Sequence, residues 1–170
     1  MLNARVHNGE GVYGIEFDHM ALRVELDEPY LADVGFGEFI REPLRWIEGL
    51  EQTQPTGTYR LMRDGEVWRA ENQHENGNWW TDYIFTLRPH TLADFAPGCV
   101  YQQTSPDSIF TQKRVVTLPT PEGRLTLRDD RLIITRDGQK EEQPIADEAE
   151  YRRLLKTHFD IQLDVDASIA

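Results

Sequence analysis

Apolar and polar residues alternate in short runs through the first half of the chain. Ala21-Leu22-Arg23-Val24-Glu25-Leu26 alternates, Asp27-Glu28-Pro29 interrupts, and Tyr30-Leu31-Ala32-Asp33-Val34 resumes, which predicts two strands joined by a turn. Thr58 to Arg63 and Glu66 to Ala70 flank Asp64-Gly65, a dipeptide suited to a two-residue type I′ hairpin turn. A polar stretch from Asn72 to Asn78 leads into Trp79-Trp80-Thr81-Asp82-Tyr83-Ile84-Phe85, an aromatic strand. Strands at this spacing, with no helical period between them, predict an antiparallel sheet or barrel.

The pattern changes after Leu87. Arg88 to Gly98 reads as a connector with one short helical turn, capped by Thr91 and ended by Pro97-Gly98. Tyr101 to Pro106 is polar and turn-like. A strand is expected within Phe110 to Leu118, then Leu125 to Arg128 and Arg131 to Thr135 around turns at Glu122-Gly123 and Asp129-Asp130. Asp147 to Phe159 predicts a helix, with acidic residues in its first turn and basic ones in its last, as the helix dipole prefers. No internal repeat or low-complexity segment is present.

Composition narrows the classes. At 170 residues, 39% hydrophobic and 10% aromatic, the chain holds one domain or two small ones around a real core. A net charge of −12 argues against sequence-independent nucleic-acid binding and against a polybasic membrane contact, since both need clustered Lys and Arg. It leaves room for an anionic ligand held by backbone amides and a few local bases. One cysteine, Cys99, excludes an internal disulfide framework and a cysteine-rich zinc site. His7, His74, His90 and His158 are too scattered to suggest a metal site. The start, Met1 to His7 followed by Asn8-Gly9-Glu10-Gly11, does not read as a signal peptide, and no apolar run reaches the length of a membrane helix. The expectation is a soluble, cytoplasmic protein. Trp46, Trp68, Trp79 and Trp80 are expected to serve core and barrel wall, and Glu141-Glu142 and the tail near Asp164 and Asp166 to be solvated.

His19 and Asp33 are the candidate chemistry, because a carboxylate that orients an imidazole supplies two members of a nucleophilic triad. A simple hairpin about Asp27-Glu28 does not deliver the pair. The residue facing His19 would be near Phe36, about 10 Å of strand beyond Asp33, and the odd offset turns Asp33 to the other face. A bulge or bent strand is then required. The alternative is an edge-strand histidine and an unrelated turn aspartate before Gly35.

His19-Met20-Ala21-Leu22-Arg23-Val24 followed by Tyr30-Leu31-Ala32-Asp33-Val34-Gly35-Phe36-Gly37 resembles the arylamine N-acetyltransferase family. Tyr101-Gln102-Gln103-Thr104-Ser105-Pro106-Asp107-Ser108-Ile109-Phe110, Thr120-Pro121-Glu122-Gly123-Arg124 and Leu154 to Ile161 resemble it in the same order. The likeness runs from about Leu2 to Leu163. It implies an α+β fold: an antiparallel β-barrel or sheet over residues 1–87, a connector with a short helix over 88–104, and a small α/β lid with a C-terminal helix over 105–170. It implies a Cys-His-Asp ping-pong transfer of acetyl from acetyl-CoA to an arylamine or hydrazine, with His19 as base and Asp33 as its orienter. By the same likeness Tyr101, Thr104 and Ser108 contact coenzyme A, and Phe36 and Gly37 shape the substrate pocket, with no metal.

One departure matters. The family's nucleophile lies in an Arg-Gly-Gly-x-Cys motif of an N-terminal helical domain, and this sequence has no counterpart to it. Cys99 stands where the family usually has asparagine, with no helix N-terminus or basic pocket readable around it, and reads as a small buried or half-buried structural residue. The expectation is a truncated or split acetyltransferase. The alternatives are a non-catalytic binding module that covers its exposed surface by self-association or with a separate N-terminal domain, and transfer through Cys99 or assisted directly by His19.

Overall fold

A computed structural model of the chain describes residues 1–163 apart from Glu10, Glu38 and Asp137. Asp164 and Asp166, named above as solvated, lie outside the described residues. The chain divides into two compact units, Met1–Ser105 and Pro106–Ala170.

The first unit is an antiparallel eight-stranded sheet in the order β4-β3-β2-β1-β8-β7-β6-β5. Its strands are β1 (Leu2–Val6), β2 (His19–Glu25), β3 (Pro29–Ala32), β4 (Leu44–Arg45), β5 (Gln52–Gln54), β6 (Gly57–Asp64), β7 (Val67–Gln73) and β8 (Trp79–Thr86). The edge strands β4 and β5 are consecutive in sequence, and side-chain amides join them. Arg45 N–H donates to Gln52 Oε1 at 2.8 Å, and Gln52 Nε2 donates back to the Arg45 carbonyl at 3.1 Å. Gln54 Oε1 accepts the Arg41 and Glu42 N–H groups at 2.9 and 3.0 Å, and its Nε2 donates to the Glu42 carbonyl. The sheet therefore curls into a nearly closed barrel. Inward positions Leu2, Ala4, Ala21, Leu31, Leu44, Tyr59, Leu61, Trp68, Ala70, Tyr83 and Phe85 form its core, with Phe36 and Trp46 packed against it, as a period-2 pattern requires.

Three local expectations are corrected. Asp64 pairs with Val67, so the hairpin loop is Gly65-Glu66, and only Gly65 has positive φ (60°). A type I′ turn needs positive φ at both loop residues; glycine first is the type II′ arrangement. Pro97-Gly98 opens a helix instead of ending one: after a 3₁₀ turn at Leu92–Phe95, α1 spans Ala96–Thr104. Proline is tolerated in a first turn because its missing N–H has no helical partner there. Tyr101 to Thr104, read as a turn, is the last part of that helix.

In the second unit, α2 (Ile109–Gln112) stands where a strand was expected to begin. Four antiparallel strands follow in sequence order: β9 (Val115–Thr120), β10 (Gly123–Arg128), β11 (Arg131–Arg136) and β12 (Gln139–Pro144). Glu141 and Glu142 are exposed as expected, but within this edge strand. The helix α3 (Glu148–Phe159) is capped by Asp147, whose carboxylate accepts the Glu150 N–H at 2.8 Å, and ends at Asp160 in the left-handed region (φ 54°). Tyr151, Leu154 and Leu155 of α3 bury against Leu127 and Leu132. No described helix is long and apolar enough to cross a membrane.

Candidate active site

His19 opens β2, and the loop before it is tied down on several sides. Phe17 has a positive φ of 62°, a conformation that is strained for a non-glycine residue. It is compensated: its N–H donates to Asn3 Oδ1 at 2.7 Å, and its ring meets His90 and Phe95 edge-on at 5.1 and 5.2 Å. A Cβ at Gly98 would overlap the Phe17 carbonyl, so α1 rests directly on this loop. Gln102 of α1 also donates to Asp18 Oδ1 at 2.5 Å. Burial holds the Asp18 carboxyl above its usual range against the opposing bonds from Val6 and Gln102.

Asp33 follows β3, and the register explains how it reaches His19. Leu22 pairs with Ala32 and Glu25 with Pro29. The ladder ends at the Leu22–Ala32 pair; continued past it, the register would set Ala21 opposite Asp33 and His19 opposite Gly35. The offset between His19 and Asp33 is two residues, so they form a diagonal pair on one face. The expected offset of three arose from centring the turn between Asp27 and Glu28; the connection is centred on Asp27, the β2–β3 ladder carries no bulge, and the expected bend lies just past β3, at residues 34–36.

The pair is close and shielded. His19 Nε2 and Asp33 Oδ2 are 2.7 Å apart, with side-chain exposures of 13% and 0%. The other carboxylate oxygen accepts the Gly35 and Phe36 N–H groups at 3.0 and 3.1 Å. Burial alone would raise the Asp33 pKa. The His19 bond and charge, with the Gly35 amide, outweigh it and hold the carboxyl below its usual range. An ionised carboxylate only accepts hydrogen bonds, so the bonded Nε2 carries a proton, and in the neutral form of the ring the lone pair lies on Nδ1.

Gly35 is the floor of this arrangement. Its φ is not in the left-handed region, and its role is space: a Cβ there would lie 3.3 Å from His19 Cε1. Phe36 and Tyr83 flank the imidazole at ring separations of 5.4 and 5.3 Å. The Tyr83 hydroxyl is buried and close enough to Asp33 for each to affect the other's ionisation, but among the described residues it has no hydrogen-bond partner. Burial, followed by the Asp33 charge, raises the Tyr83 pKa far above its usual value and keeps the phenol neutral.

The structure thus brings His19, Asp33 and Phe36 together. Gly37 is exposed in the adjoining turn. Tyr101 and Thr104 stand on α1, the helix tied to the His19 loop, and the Thr104 hydroxyl donates to the Val100 carbonyl at 2.8 Å. Ser108, in the second unit, is buried and accepts the Phe110 N–H as the cap of α2. Cys99, expected to be buried or half-buried, is instead exposed in the first turn of α1, a helix start that the sequence pattern did not signal, and its Sγ accepts from Gln103 Nε2 at 2.9 Å. Tyr83 was read only as a strand aromatic, because nothing local in the sequence signals its approach to Asp33.

Residues 1–168 match the sequence profile of the N-acetyltransferase family. This chain belongs to the arylamine N-acetyltransferase family. It is 30% identical over 188 residues to the pineal gland arylamine N-acetyltransferase isozyme NAT-10 of Gallus gallus, covering 96% of this chain and 65% of that protein. Its fold is similar to the arylamine N-acetyltransferase of Salmonella typhimurium, with a TM-score of 0.88 at 28% identity over 98% of this chain and 62% of that one. It is also similar to the Mycobacterium marinum enzyme solved in complex with CoA, with a TM-score of 0.81 at 26% identity over 94% and 61% of the two chains. This chain therefore spans somewhat less than two thirds of the length of these relatives.

Proposed function

We propose that this chain supplies the base and orienting carboxylate for transfer of acetyl from acetyl-CoA to an arylamine or hydrazine. The observation that carries the reading is the 2.7 Å bond between His19 Nε2 and an Asp33 carboxylate whose other oxygen is held by two backbone amides. In this mechanism His19 Nδ1 takes the proton of a cysteine thiol, and Asp33 stabilises the imidazolium. The thiolate attacks the acetyl carbonyl, the bond to the CoA sulfur breaks, and the departing thiolate takes the imidazolium proton. The amine nitrogen then attacks the enzyme thioester and expels the cysteine sulfur. The proton lost by the amine passes through His19 to that sulfur.

The nucleophile comes from sequence other than this chain, as in a truncated or split enzyme. Tyr101, Thr104 and Ser108 are the residues proposed to contact coenzyme A. Thr104 would turn its hydroxyl from the Val100 carbonyl to donate to a phosphate, and Ser108 keeps its capping bond. Phe36 and Gly37 would border the acceptor. The second reading, a non-catalytic binding module, is favoured by one observation: the single cysteine is exposed on α1 and bonded to Gln103.

Supplying the nucleophile in solution separates the two. With acetyl-CoA and added 2-mercaptoethanol, the chain should speed acetyl transfer to the small thiol by about tenfold or more over background, at the low end of general-base catalysis. His19→Gln and Asp33→Asn should abolish the gain, and Cys99→Ser should leave it intact. No acceleration, with a folded chain, favours the binding module; loss in Cys99→Ser would make Cys99 the nucleophile.

A further inference from the structure

A cavity of about 370 Å³ opens in the first unit beside the dyad, with Phe36, Thr56, Tyr59, Asn72, His74 and Asp82 in its wall. That volume suits a single-ring molecule. Phe36 is shared: its ring packs against His19 and also lines the cavity.

Asp82 is placed there by a bulge. Ala70 pairs with Tyr83 and Glu71 with Thr81, so Asp82 is the extra residue on β8. In an unbroken strand neighbours 82 and 83 would face opposite sides; the bulge lets both be buried, at 8% and 0% exposure. Bulges are a recognised means of re-aiming a side chain beside a functional site.

Its carboxylate is sparsely answered. Asn72 Nδ2 donates to both oxygens at 2.8 Å, and among the described residues no guanidinium, ammonium or backbone N–H joins it. The contrast with its neighbours is sharp: Glu71 binds two guanidinium groups, from Arg60 and Arg69, and Asp33 accepts His19 and two amides. A buried carboxylate has about four lone-pair sites, so Asp82 retains acceptor capacity. Thr56 Oγ1, also in the cavity wall, is buried with no partner among the described residues. Burial, with the nearby Asp33 and Glu71 charges, makes ionised Asp82 costly, a cost that a bound cation would offset.

We propose that this cavity binds the far end of a single-ring aromatic acceptor bearing an ammonium, amidinium or guanidinium group, held by Asp82 and Thr56 and packed against Phe36 and Tyr59. The aromatic walls receive the ring, and the carboxylate selects cations and rejects anions. The assignment of this ligand as an acetyl acceptor rests on the function proposed above; its recognition by Asp82 does not.

Direct binding tests this without acetyl-CoA or a thiol, so failure of the transfer chemistry would leave the result intact. The isotopically labelled chain is titrated at pH 8 with para-aminobenzylamine, para-toluidine and para-aminobenzoate, which carry a cationic, neutral and anionic end on one ring. The cation should bind about tenfold or more tightly than the neutral analogue, the anion most weakly, as a charge-assisted hydrogen bond predicts. Amide shifts should concentrate at Asn72, Gln73 and Asp82. Asp82→Asn should bring the three affinities within about threefold, and Thr56→Val should weaken the cation while preserving the spectrum of the folded chain. Equal affinities, no binding of any probe, shifts confined elsewhere, or an undiminished cation preference in folded Asp82→Asn would overturn the proposal. Should Asp82→Asn not fold, the wild-type ranking and the Thr56→Val result decide it.

Discussion

Replacing Asp82 by Asn should alter how stability depends on pH. The carboxyl pKa is pushed up to about 7, first by burial and then by the Asp33 and Glu71 charges, against the stabilising Asn72 bond. An unfolded aspartate titrates near 3.9. Between these values the native state binds more protons than the unfolded chain, so the Asp82 contribution falls as pH rises from about 4 to 7 and then levels off. About 3 pKa units correspond to about 4 kcal/mol in full, of which about 2–3 kcal/mol accrues between pH 5 and 8. Asparagine keeps the size of the side chain and cannot ionise. The variant should therefore gain about 2–3 kcal/mol relative to the parent on going from pH 5 to pH 8. Urea unfolding followed by tryptophan fluorescence reports on the relevant unit, because Trp46, Trp68, Trp79 and Trp80 all lie in Met1–Ser105. A difference between variant and parent that stays flat from pH 5 to 8 would refute the reasoning, whatever its sign at one pH.

Two further outcomes concern the dyad. Gly35→Ala places a methyl group 3.3 Å from His19 Cε1; it should change stability by about 1 kcal/mol or less but move the imidazole resonances and reduce His19-dependent acetyl transfer by about tenfold or more. Asp33→Asn removes the charge and presents an amide to Nε2, so the proton should move to Nδ1, visible as exchanged ¹⁵N shifts of the two ring nitrogens. Because Asp33 titrates below its usual range, its stabilisation is present above about pH 4 and lost as pH falls through its folded pKa. Acid titration of the variant should lack that component.

The strands around His19 and Asp33 were legible because each alternates about a half-buried face, and α3 because its caps and charges agree with its period. The dyad geometry was not legible from spacing. It depends on whether the turn is centred on Asp27 or on the bond after it, a half-residue difference that reverses the face of every residue beyond. Pro97-Gly98 misled for a related reason: the pair suits a helix start as well as a stop, and only the packing of Gly98 on Phe17 decides. The bulge at Asp82 leaves no mark in an aromatic-rich strand except two adjacent positions that are both buried. The approach of Tyr83 to Asp33 joins residues fifty positions apart, which no local pattern records.

The glutamine amides that join β4 to β5 also bear on association. Gln52 and Gln54 occupy the backbone donors and acceptors of the Arg41–Arg45 segment as a neighbouring strand would, so this margin offers no ready template for an incoming chain. At β12 the deterrent is different: Lys140, Glu141, Glu142 and Pro144 place charge and a missing amide along an exposed edge. At these two margins a partner, including a second copy, would engage side-chain surfaces rather than add a strand. Substituting Gln54 by a short apolar residue would remove its bonds to the Arg41 and Glu42 amides and the Glu42 carbonyl and open that margin to an incoming strand.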